Sequence, residues 1–277
     1  MVGAARDWVF AVDLDGTLVR RDHTIAPDDA EALHELVARG TPVVLATGRF
    51  PGGVQEVRRV LGRRFPAACV DGAIVLDDAG ACVESHVVAA TVVDAFVTHA
   101  GALGLRCFAF GRDHVVCAAC HADHLAYVEG WARGHRVELR ARAGDAASMV
   151  LALGERAAVE GLAFACDASV VFDRFALGSS GVWAGRLRHV AADKGTAVRA
   201  WARRVAGVNA RIVAVGNDDN DLPLFRVADR SFAMADAPAH VRAAATRVLR
   251  ADAMHGGGVA EACAWIRRDL GGAGVGP

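Results

Sequence analysis

Two carboxylates stand directly after a short apolar run near the start of the chain. Residues 9–12 read Val-Phe-Ala-Val, and Asp13 and Asp15 follow with one residue between them. Such a run predicts a strand buried on both faces of a parallel sheet, and these sheets bind ligands beyond the carboxyl ends of their strands. Two acids there are costly to bury unless a cation or a proton compensates them. The pattern therefore predicts a magnesium site in which Asp13 can also attack an electrophile.

The residues after these carboxylates, and those after the next predicted strand, suit an anion. Gly16 lets the backbone turn sharply beside a ligand, and Thr17 offers a hydroxyl. Thr47 and Gly48 follow the apolar residues 43–46 in the same way. Small hydroxyls and backbone amides at a strand end can cradle the oxygens of a phosphate group.

A lysine and an acidic cluster complete a set of side chains suited to phosphoryl transfer. Lys194 opens a predicted helix, and residues 217–221 read Asn-Asp-Asp-Asn-Asp. A phosphate ester repels anionic nucleophiles, so its site needs a divalent cation and a cationic side chain. Asp13 would attack phosphorus and form an aspartyl-phosphate. Asp15 would protonate the leaving alkoxide and then take a proton from the hydrolytic water.

Each feature also has a purely structural interpretation. Lys194 alone is commonly a solvated charge at a helix end, Thr47-Gly48 alone is a turn, and the acids of 217–221 can satisfy a helix dipole. As a calcium loop, that cluster lacks the central glycine and the terminal glutamate. A catalytic site is favoured because all the features occur together, each at a predicted element boundary.

The elements that must position these side chains alternate between strand and helix. Residues 27–40 form a predicted helix that begins at Pro27, and residues 42–46 form the next buried strand. A right-handed βαβ connection brings both strand ends to one edge of the sheet, so we expect Asp13 near Thr47. The same alternation resumes at residue 193, with predicted elements at 194–205, 211–215, 222–228, 231–234, 247–249 and 259–270.

The middle of the chain has a different order of elements: helix, strand, strand, repeated three times. The predicted helices are 91–103, 122–133 and 155–165, and the predicted strands are 105–110, 114–118, 137–140, 148–153, 170–172 and 182–184. Grouped strands with helices on one face indicate an inserted α+β unit. We therefore predict an α/β fold, with a Rossmann-like parallel core from residues 1–86 and 188–277 and an inserted α+β cap domain from residues 87–187.

The composition excludes several classes of partner. The chain has 277 residues, 53% of them hydrophobic, and its 31 basic and 32 acidic residues give a net charge of -1. This balance does not favour binding to nucleic acid or to an anionic membrane. The apolar stretches end well before the ~20 residues of a membrane span, and the start of the chain has no room for a secretory leader. We expect a cytoplasmic monomer or homodimer.

One group of cysteines and histidines needs separate consideration among the seven cysteines. Cys117, Cys120 and His121 match the haem-attachment pattern Cys-x-x-Cys-His. Together with His124 they offer four possible zinc ligands. Covalent haem attachment normally requires export, and four ligands within eight residues close a tetrahedron awkwardly. We interpret the segment as a strand end followed by a helix, and the cysteines as small buried thiols.

The polar motifs together resemble those of the haloacid dehalogenase superfamily of phosphatases and phosphotransferases. Residues 13–18, Asp-Leu-Asp-Gly-Thr-Leu, are similar to its first motif, and Lys194-Gly195 to its third. Thr47-Gly48-Arg49 resembles the second motif of the Cof-type sugar-phosphatase branch, and residues 216–222 resemble the fourth. The insertion is similar to the large type II cap of that branch. Asp71-Gly72-Ala73 stands where the branch commonly has Asn-Gly-Ala.

The resemblance implies Mg²⁺ as the cofactor and a role for each matched residue. The implied catalytic residues are Asp13, Asp15, Thr47 and Lys194. The implied phosphate- or substrate-binding residues are Leu14, Gly16, Thr47, Gly48, Arg49, Lys194 and Asn220. The implied metal ligands are Asp13, Asp15 through its backbone carbonyl, Asn217, Asp218 and Asp221.

The fourth motif departs from the family pattern at its second position. It usually begins Gly-Asp, whereas this chain has Gly216-Asn217. An amide oxygen can still bind magnesium but contributes less charge, which Asp218 or Asp221 could compensate. The resemblance therefore implies a weakened metal site.

The function expected from these residues is magnesium-dependent hydrolysis of a small phosphorylated metabolite, with sugar phosphates as the class. Arg112, His114 and Arg174 have suitable chemistry for reading the substrate from the cap. A phosphomutase or phosphotransferase could use the same aspartate, and a signalling receiver domain uses a similar set of residues but is far shorter. A binding protein that lost activity through Asn217 is a further alternative.

Overall fold

Two β-sheets organise the computed structural model of the chain, which describes residues 8–118, 124–132, 135–140, 144–177 and 180–271. The elements of the first part of the chain are β1 (Trp8–Val12), α1 (Pro27–Ala38), β2 (Val43–Ala46), α2 (Pro51–Val60), β3 (Ala67–Cys69), β4 (Ile74–Leu76) and β5 (Cys82–Ser85). The middle part contains α3 (Ala90–Ala102), β6 (Arg106–Phe110), β7 (His114–Cys117), α4 (Leu125–Ala132), β8 (Arg136–Leu139), β9 (Met149–Gly154), α5 (Arg156–Gly161), β10 (Val170–Ala176) and β11 (Trp183–His189). The last part contains α6 (Lys194–Ala206), β12 (Arg211–Gly216), α7 (Leu222–Val227), β13 (Arg230–Ala233), α8 (Ala239–Ala244), β14 (Arg247–Val248) and α9 (Gly258–Gly271).

The larger sheet has eight strands in the order β14-β13-β12-β1-β2-β3-β4-β5. The strands from β14 to β3 are parallel, and β4 and β5 continue the sheet as antiparallel strands. β1 lies between β12 and β2, with Val12 opposite Val215 on one side and Leu45 on the other. The carboxyl ends of these three strands therefore meet at one edge of the sheet.

Alternate residues of β1 contribute to the two hydrophobic layers that cover this sheet. Phe10 and Val12 pack in a cluster that includes side chains of α1, α2 and α9. Val9 and Ala11 pack in a second cluster with side chains of α6, α7 and α8. All five residues of β1 are buried, as expected for a continuous apolar run with a helix layer on each face.

The smaller sheet has six strands in the order β10-β11-β9-β6-β7-β8 and is antiparallel except for the β7–β8 pair. A third apolar cluster joins one face of this sheet to α3 and α5, with Phe96 at its centre. The observed order of elements, from α3 to β11, is the predicted repeat of helix, strand, strand. The predicted fold class, a parallel α/β sheet with an inserted α+β unit, is confirmed.

The largest difference from the predicted elements lies in the β10–β11 hairpin. The sequence predicted strands at 170–172 and 182–184, whereas each strand spans seven residues. Asp173 and Arg186 interrupt the apolar pattern, but they lie opposite each other in the hairpin and form an ion pair. α5 ends at Gly161 rather than at residue 165, and α8 was not predicted.

Two sequence features are only partly covered by the structure. Cys117 is buried at the end of β7, whereas Cys120 and His121 of the same motif lie outside the described residues. Of the Gly-rich tail, residues 271–277, only the first residue is described. None of the helices in the described part of the chain has the length and apolar character needed to cross a membrane.

Candidate active site

Most of the predicted site residues line one cavity of about 870 Å³ at the carboxyl edge of the larger sheet. The predicted residues in its lining are Asp13, Asp15, Gly48, Arg49, Lys194, Asn217, Asp218 and Asn220. The remaining ones, Leu14, Gly16, Thr47 and Asp221, lie outside that lining. The smaller sheet supplies the opposite wall, including Met149 and residues 173–176.

Lys194 occupies the centre of the polar cluster at the base of this cavity. Its ammonium donates to Oδ1 of Asp13 and to Oδ1 of Asp221, each at 2.7 Å. The side chain is fully buried. It starts α6, whose N-terminus is capped by Asp193 through a hydrogen bond from the backbone N–H of Thr196 at 2.8 Å. A helix cap therefore fixes the place from which the lysine reaches both carboxylates.

The two buried carboxylates and the lysine shift one another's protonation. Burial would lower the pKa of Lys194, but the charges of Asp13 and Asp221 outweigh it and raise that pKa. Burial and the charge of Asp221 raise the pKa of Asp13 to about 7, although Lys194 opposes the shift. The lysine therefore keeps its charge beside Asp13.

Asp221 holds the loop after β12 as well as the lysine. Its Oδ2 accepts hydrogen bonds from the backbone N–H groups of Asn217 (2.8 Å) and Asp218 (3.1 Å). Both oxygens of this fully buried carboxylate are thus engaged by protein donors. The Asp218 side chain accepts from the backbone N–H of Asp219 at 2.8 Å and is exposed to solvent.

The side chain of Asn217 reaches the oxygens beside Asp13. With its nitrogen turned toward the acceptors around it, the amide donates to Asp13 Oδ2 (3.2 Å), to the Asp15 carbonyl oxygen (3.0 Å) and to the Thr17 hydroxyl (3.2 Å). Gly16 makes this approach possible. Its φ is +82°, and a Cβ there would lie 2.3 Å from the Asn217 amide.

The oxygen atoms around the Asn217 amide suit a small divalent cation, although they provide only one negative charge. Mg²⁺ prefers hard oxygen ligands, and Asp13 Oδ2 and the Asp15 carbonyl converge on a single donor group, the Asn217 amide. If the amide rotates, it can offer its own oxygen at the same place. No group of three His, Cys, Asp or Glu side chains among the described residues could hold a metal. A cation here would therefore depend on one carboxylate, a backbone carbonyl and an amide.

Arg49 holds the second carboxylate of the first motif. Its guanidinium donates to both oxygens of Asp15, with Nε at 2.8 Å from Oδ2. The Asp15 side chain is 57% exposed and the Arg49 side chain 17% exposed, so the pair lies at the mouth of the site. The fully buried hydroxyl of Thr47 accepts the backbone N–H of Arg49 at 3.0 Å and shapes this turn.

The opposite wall contains polar residues that sequence reasoning did not select. Arg186 of β11 contacts Asp71 of the larger sheet and Asp173 of β10, both at 2.8 Å. The alternating charges of the hairpin, Asp173-Arg174 and Arg186-x-Arg188, are a signal that could have revealed them. Among the three residues proposed for substrate reading, Arg174 lines the cavity, whereas Arg112 and His114 do not. The Arg174 guanidinium donates to the Val159 and Leu162 carbonyl oxygens.

The single lysine of the chain is a second signal that sequence reasoning did not use. Lysine and arginine together number 31, and Lys194 is the only lysine among them. A compact ammonium can sit between two buried carboxylates where the planar fork of arginine cannot. A lysine at this position therefore fits the space between Asp13 and Asp221.

Proteins named as phosphatases match part of this chain in sequence. HMP-PP phosphatase of Serratia proteamaculans (strain 568) is 37% identical over 70 residues, which are 25% of this chain and 26% of that protein. Pyridoxal phosphate phosphatase YbhA of Escherichia coli (strain K12) is 33% identical over 69 residues, 25% of each chain. These matches thus span about a quarter of the relatives' lengths.

The fold comparison extends over nearly the whole molecule. The crystal structure of TM0651 from Thermotoga maritima superposes with a TM-score of 0.75 at 22% identity, covering 93% of this chain and 97% of that one. The sequence model of the haloacid dehalogenase-like hydrolases matches residues 10–262, which include every predicted site residue. The chain therefore belongs to the haloacid dehalogenase-like hydrolase family.

Proposed function

We propose that the protein is a magnesium-dependent phosphatase that hydrolyses a small phosphorylated metabolite through an aspartyl-phosphate on Asp13. The observation that carries this proposal is the buried Lys194 ammonium, shared between Asp13 and Asp221 at 2.7 Å from each. A cation fixed beside a carboxylate at the base of a cavity can neutralise phosphate oxygens while that carboxylate attacks phosphorus.

In the first step, Asp13 forms a bond from a carboxylate oxygen to phosphorus as the bond from phosphorus to the ester oxygen breaks. Asp15 gives a proton to the departing alkoxide. In the second step, water attacks phosphorus, Asp15 accepts a water proton, and the bond between phosphorus and Asp13 breaks to release phosphate. Lys194 enters the reaction charged because the two buried carboxylates raise its pKa, and in the intermediate Asp221 and the phosphoryl oxygens supply the negative charge beside it.

The ion pair between Asp15 and Arg49 must break before Asp15 can transfer that proton. In the substrate-free protein, the Arg49 guanidinium engages both oxygens of Asp15. A phosphate group offers the same bidentate geometry to a guanidinium. We expect the substrate phosphate to replace Asp15 as the hydrogen-bond partner of Arg49. Substrate binding would then free Asp15 for proton transfer.

A bound Mg²⁺ would supply positive charge at a phosphate oxygen. Asp13 Oδ2, the Asp15 carbonyl and the rotated Asn217 amide are the groups that would hold it. Asp218 and Asp221 were also expected as ligands. Asp221 instead forms an ion pair with Lys194, whereas the exposed Asp218 could approach a bound cation.

The cavity suits a small substrate that is polar at one end. Its volume of about 870 Å³ lies within the usual range of small-molecule sites. Val70, Met149 and Phe175 contribute apolar side chains to its lining. The names of the two relatives refer to HMP-PP and to pyridoxal phosphate, and the sequence motifs resemble those of sugar phosphatases. We propose that residues 87–187, the inserted cap domain, provide the specificity and close over the bound substrate.

Binding of a phosphorylated metabolite without turnover is the second candidate function. The neutral Asn217, where a carboxylate would bind magnesium more strongly, is the observation that favours it. An intact Asp13 with its buried lysine favours catalysis instead, because a binding protein has no need of a nucleophile held in this way.

The deciding experiment is phosphate release from a panel of sugar phosphates, nucleotides, pyridoxal phosphate and an aryl phosphate, with and without Mg²⁺. Asp13→Asn is the matched control because it keeps the shape of the side chain and removes the nucleophile. Magnesium-dependent release that Asp13→Asn abolishes is the expected result. Binding of several compounds with no release from any of them would favour the second candidate.

A further inference from the structure

Asp71 joins the inserted unit to the core, because one of its carboxylate oxygens contacts the smaller sheet and the other contacts the loop after β12. Oδ2 accepts a hydrogen bond from Nη1 of Arg186 at 2.8 Å, and Oδ1 accepts one from Nδ2 of Asn220 at 2.9 Å. Asp71 lies in the turn between β3 and β4 of the larger sheet, whereas Arg186 belongs to β11 of the smaller one. The side chains are 14% and 22% exposed, so water and salt screen their attraction less than they screen a surface pair.

Asp173, within the inserted unit, orients the Arg186 guanidinium. Its Nε and Nη2 donate to the two oxygens of Asp173 at 2.9 and 2.8 Å, a bidentate pair across the β10–β11 hairpin. The remaining terminal nitrogen, Nη1, is the one that reaches Asp71. The inserted unit therefore presents a preorganised guanidinium to the carboxylate of the core.

The backbone around Asp71 is strained. Val70 and Asp71 both have a φ of +52°, which is unusual for any residue with a side chain and most of all for a β-branched one. At Gly72, a Cβ would lie 2.4 Å from the carbonyl oxygen of Asp193, the residue before Lys194. Strain of this kind concentrates at ligand clamps and switches, where the surroundings hold it in place. Here the close contact at Gly72 holds the turn that carries Asp71 against the start of the helix that carries Lys194.

We propose that Asp71 and Arg186 are positioning residues that form a latch between the core and the inserted unit. When the pair is made, the unit closes over the cavity and Asn220 is held where it can meet the substrate phosphate; this role rests on the proposed function. Phe50 of the core stacks on Phe110 of the inserted unit, with ring centroids 4.9 Å apart. Breaking the latch therefore loosens the cavity on the side of Asp71 while the apolar contact keeps the two units together.

Hydrogen exchange of the substrate-free protein tests the latch without any need for turnover. The variants are Asp71→Asn, which leaves an oxygen for Asn220, Arg186→Gln, and the two combined. We expect exchange in peptides covering residues 86–89 and 170–189 to become about tenfold faster or more in each single variant. The double variant should exchange no faster than the singles, because both remove the same interaction. Asp145→Asn, which breaks the exposed pair with Arg140, should leave these peptides unchanged.

Kinetics on the best substrate of the panel then tests positioning. Both single variants should raise KM about tenfold or more with a smaller change in kcat, and Arg186→Lys should recover part of the loss. Unchanged exchange in Asp71→Asn and Arg186→Gln, or effects that add in the double variant, would overturn the latch. Faster exchange with an unchanged KM would overturn its role in positioning. A wild-type protein with no turnover would count against the proposed function, while the exchange result would still decide whether the latch exists.

Discussion

The ammonium nitrogen of Lys194 lies 2.7 Å from Oδ1 of Asp13, although the two residues are 181 positions apart in the chain. Neither side chain could be buried alone at reasonable cost, because burial removes most of the hydration of its charge. Each stabilises the ionised form of the other, and Asp221 shares the lysine from the opposite side. The chemistry of the site therefore depends on three chain segments that meet only in the folded protein.

Replacing Lys194 should affect both stability and turnover. Lys194→Met leaves Asp13 and Asp221 buried without their cation, and removing one partner of a buried ion pair costs about 3–5 kcal/mol. We expect the free energy of unfolding in urea to fall by an amount of that order, and kcat to fall by about 100-fold or more. Lys194→Arg is the control for charge. It should also lose most activity, because the guanidinium fork does not fit between the carboxylates; full activity in that variant would contradict this geometry.

Restoring a carboxylate at position 217 should strengthen metal binding. Asn217→Asp places a second negative charge beside Asp13 Oδ2 and the Asp15 carbonyl, where the amide now donates hydrogen bonds. Calorimetric titration should give an affinity for Mg²⁺ about tenfold higher or more than that of the wild type.

The same variant should be less stable without the metal, since two carboxylates would then face each other. Its melting temperature should be lower than that of the wild type in EDTA and should rise more on addition of Mg²⁺. Asn209→Asp, which adds the same charge at an exposed asparagine outside the cavity lining, is the control for charge. Equal Mg²⁺ affinities in Asn217→Asp and the wild type would show that the cation binds elsewhere.

Arg49 should contribute to substrate binding more than to folding. Arg49→Gln removes a bidentate donor worth about 1.5–3 kcal/mol to a charged acceptor, so KM should rise by roughly 10- to 100-fold. Steady-state kinetics measures this change, and thermal unfolding should show little loss of stability because the Asp15 carboxylate, which is 57% exposed, stays hydrated without its partner. Arg59→Gln, an exposed arginine on the neighbouring helix α2, should leave KM as it is. An equal rise in KM in both variants would indicate that the overall positive charge attracts the substrate, rather than a direct contact from Arg49.

Asp29 should stabilise the fold without touching the reaction. Its fully buried carboxylate accepts the backbone N–H groups of Gly257 (2.8 Å) and Ala260 (2.9 Å), and so joins α1 to the start of α9. Asp29→Ala leaves these donors without partners, and we expect a loss of about 1–3 kcal/mol in urea unfolding with KM unchanged. Asp28→Ala, the exposed neighbour, is the control.

The effect of Asp29 should depend on pH in a defined direction. Burial raises its pKa above the ordinary value of 3.8, despite the hydrogen bonds that oppose the shift. The folded protein therefore holds this proton more tightly than the unfolded chain does, and the stability that Asp29 supplies falls as the pH rises through its raised pKa. The difference in unfolding free energy between the wild type and Asp29→Ala should be largest below about pH 4 and smaller at neutral pH. A difference that grows with pH would show that the hydrogen bonds outweigh burial.

The sequence by itself determined the strand ends and what stands on them. β1 is a run of apolar residues with a helix layer on each face, and Asp13 follows it directly, so local pattern was sufficient to identify the strand and its acidic end. The same holds for Thr47 after β2 and for the cluster after β12. Parallel strands share one carboxyl edge, which is why their polar ends could be predicted to meet.

Only the tertiary structure decided how these side chains divide their roles. The acids of residues 217–221 are equivalent in the sequence, yet Asp221 points to Lys194 and caps its loop, while Asp218 faces solvent. Asp71 and Arg186 are 115 positions apart, and the pattern of neither segment indicates the other. The physical reason is that local periodicity reports which side of an element is buried. The choice between buried polar partners depends on distances of a few tenths of an ångström and on desolvation, and packing of the two sheets sets both.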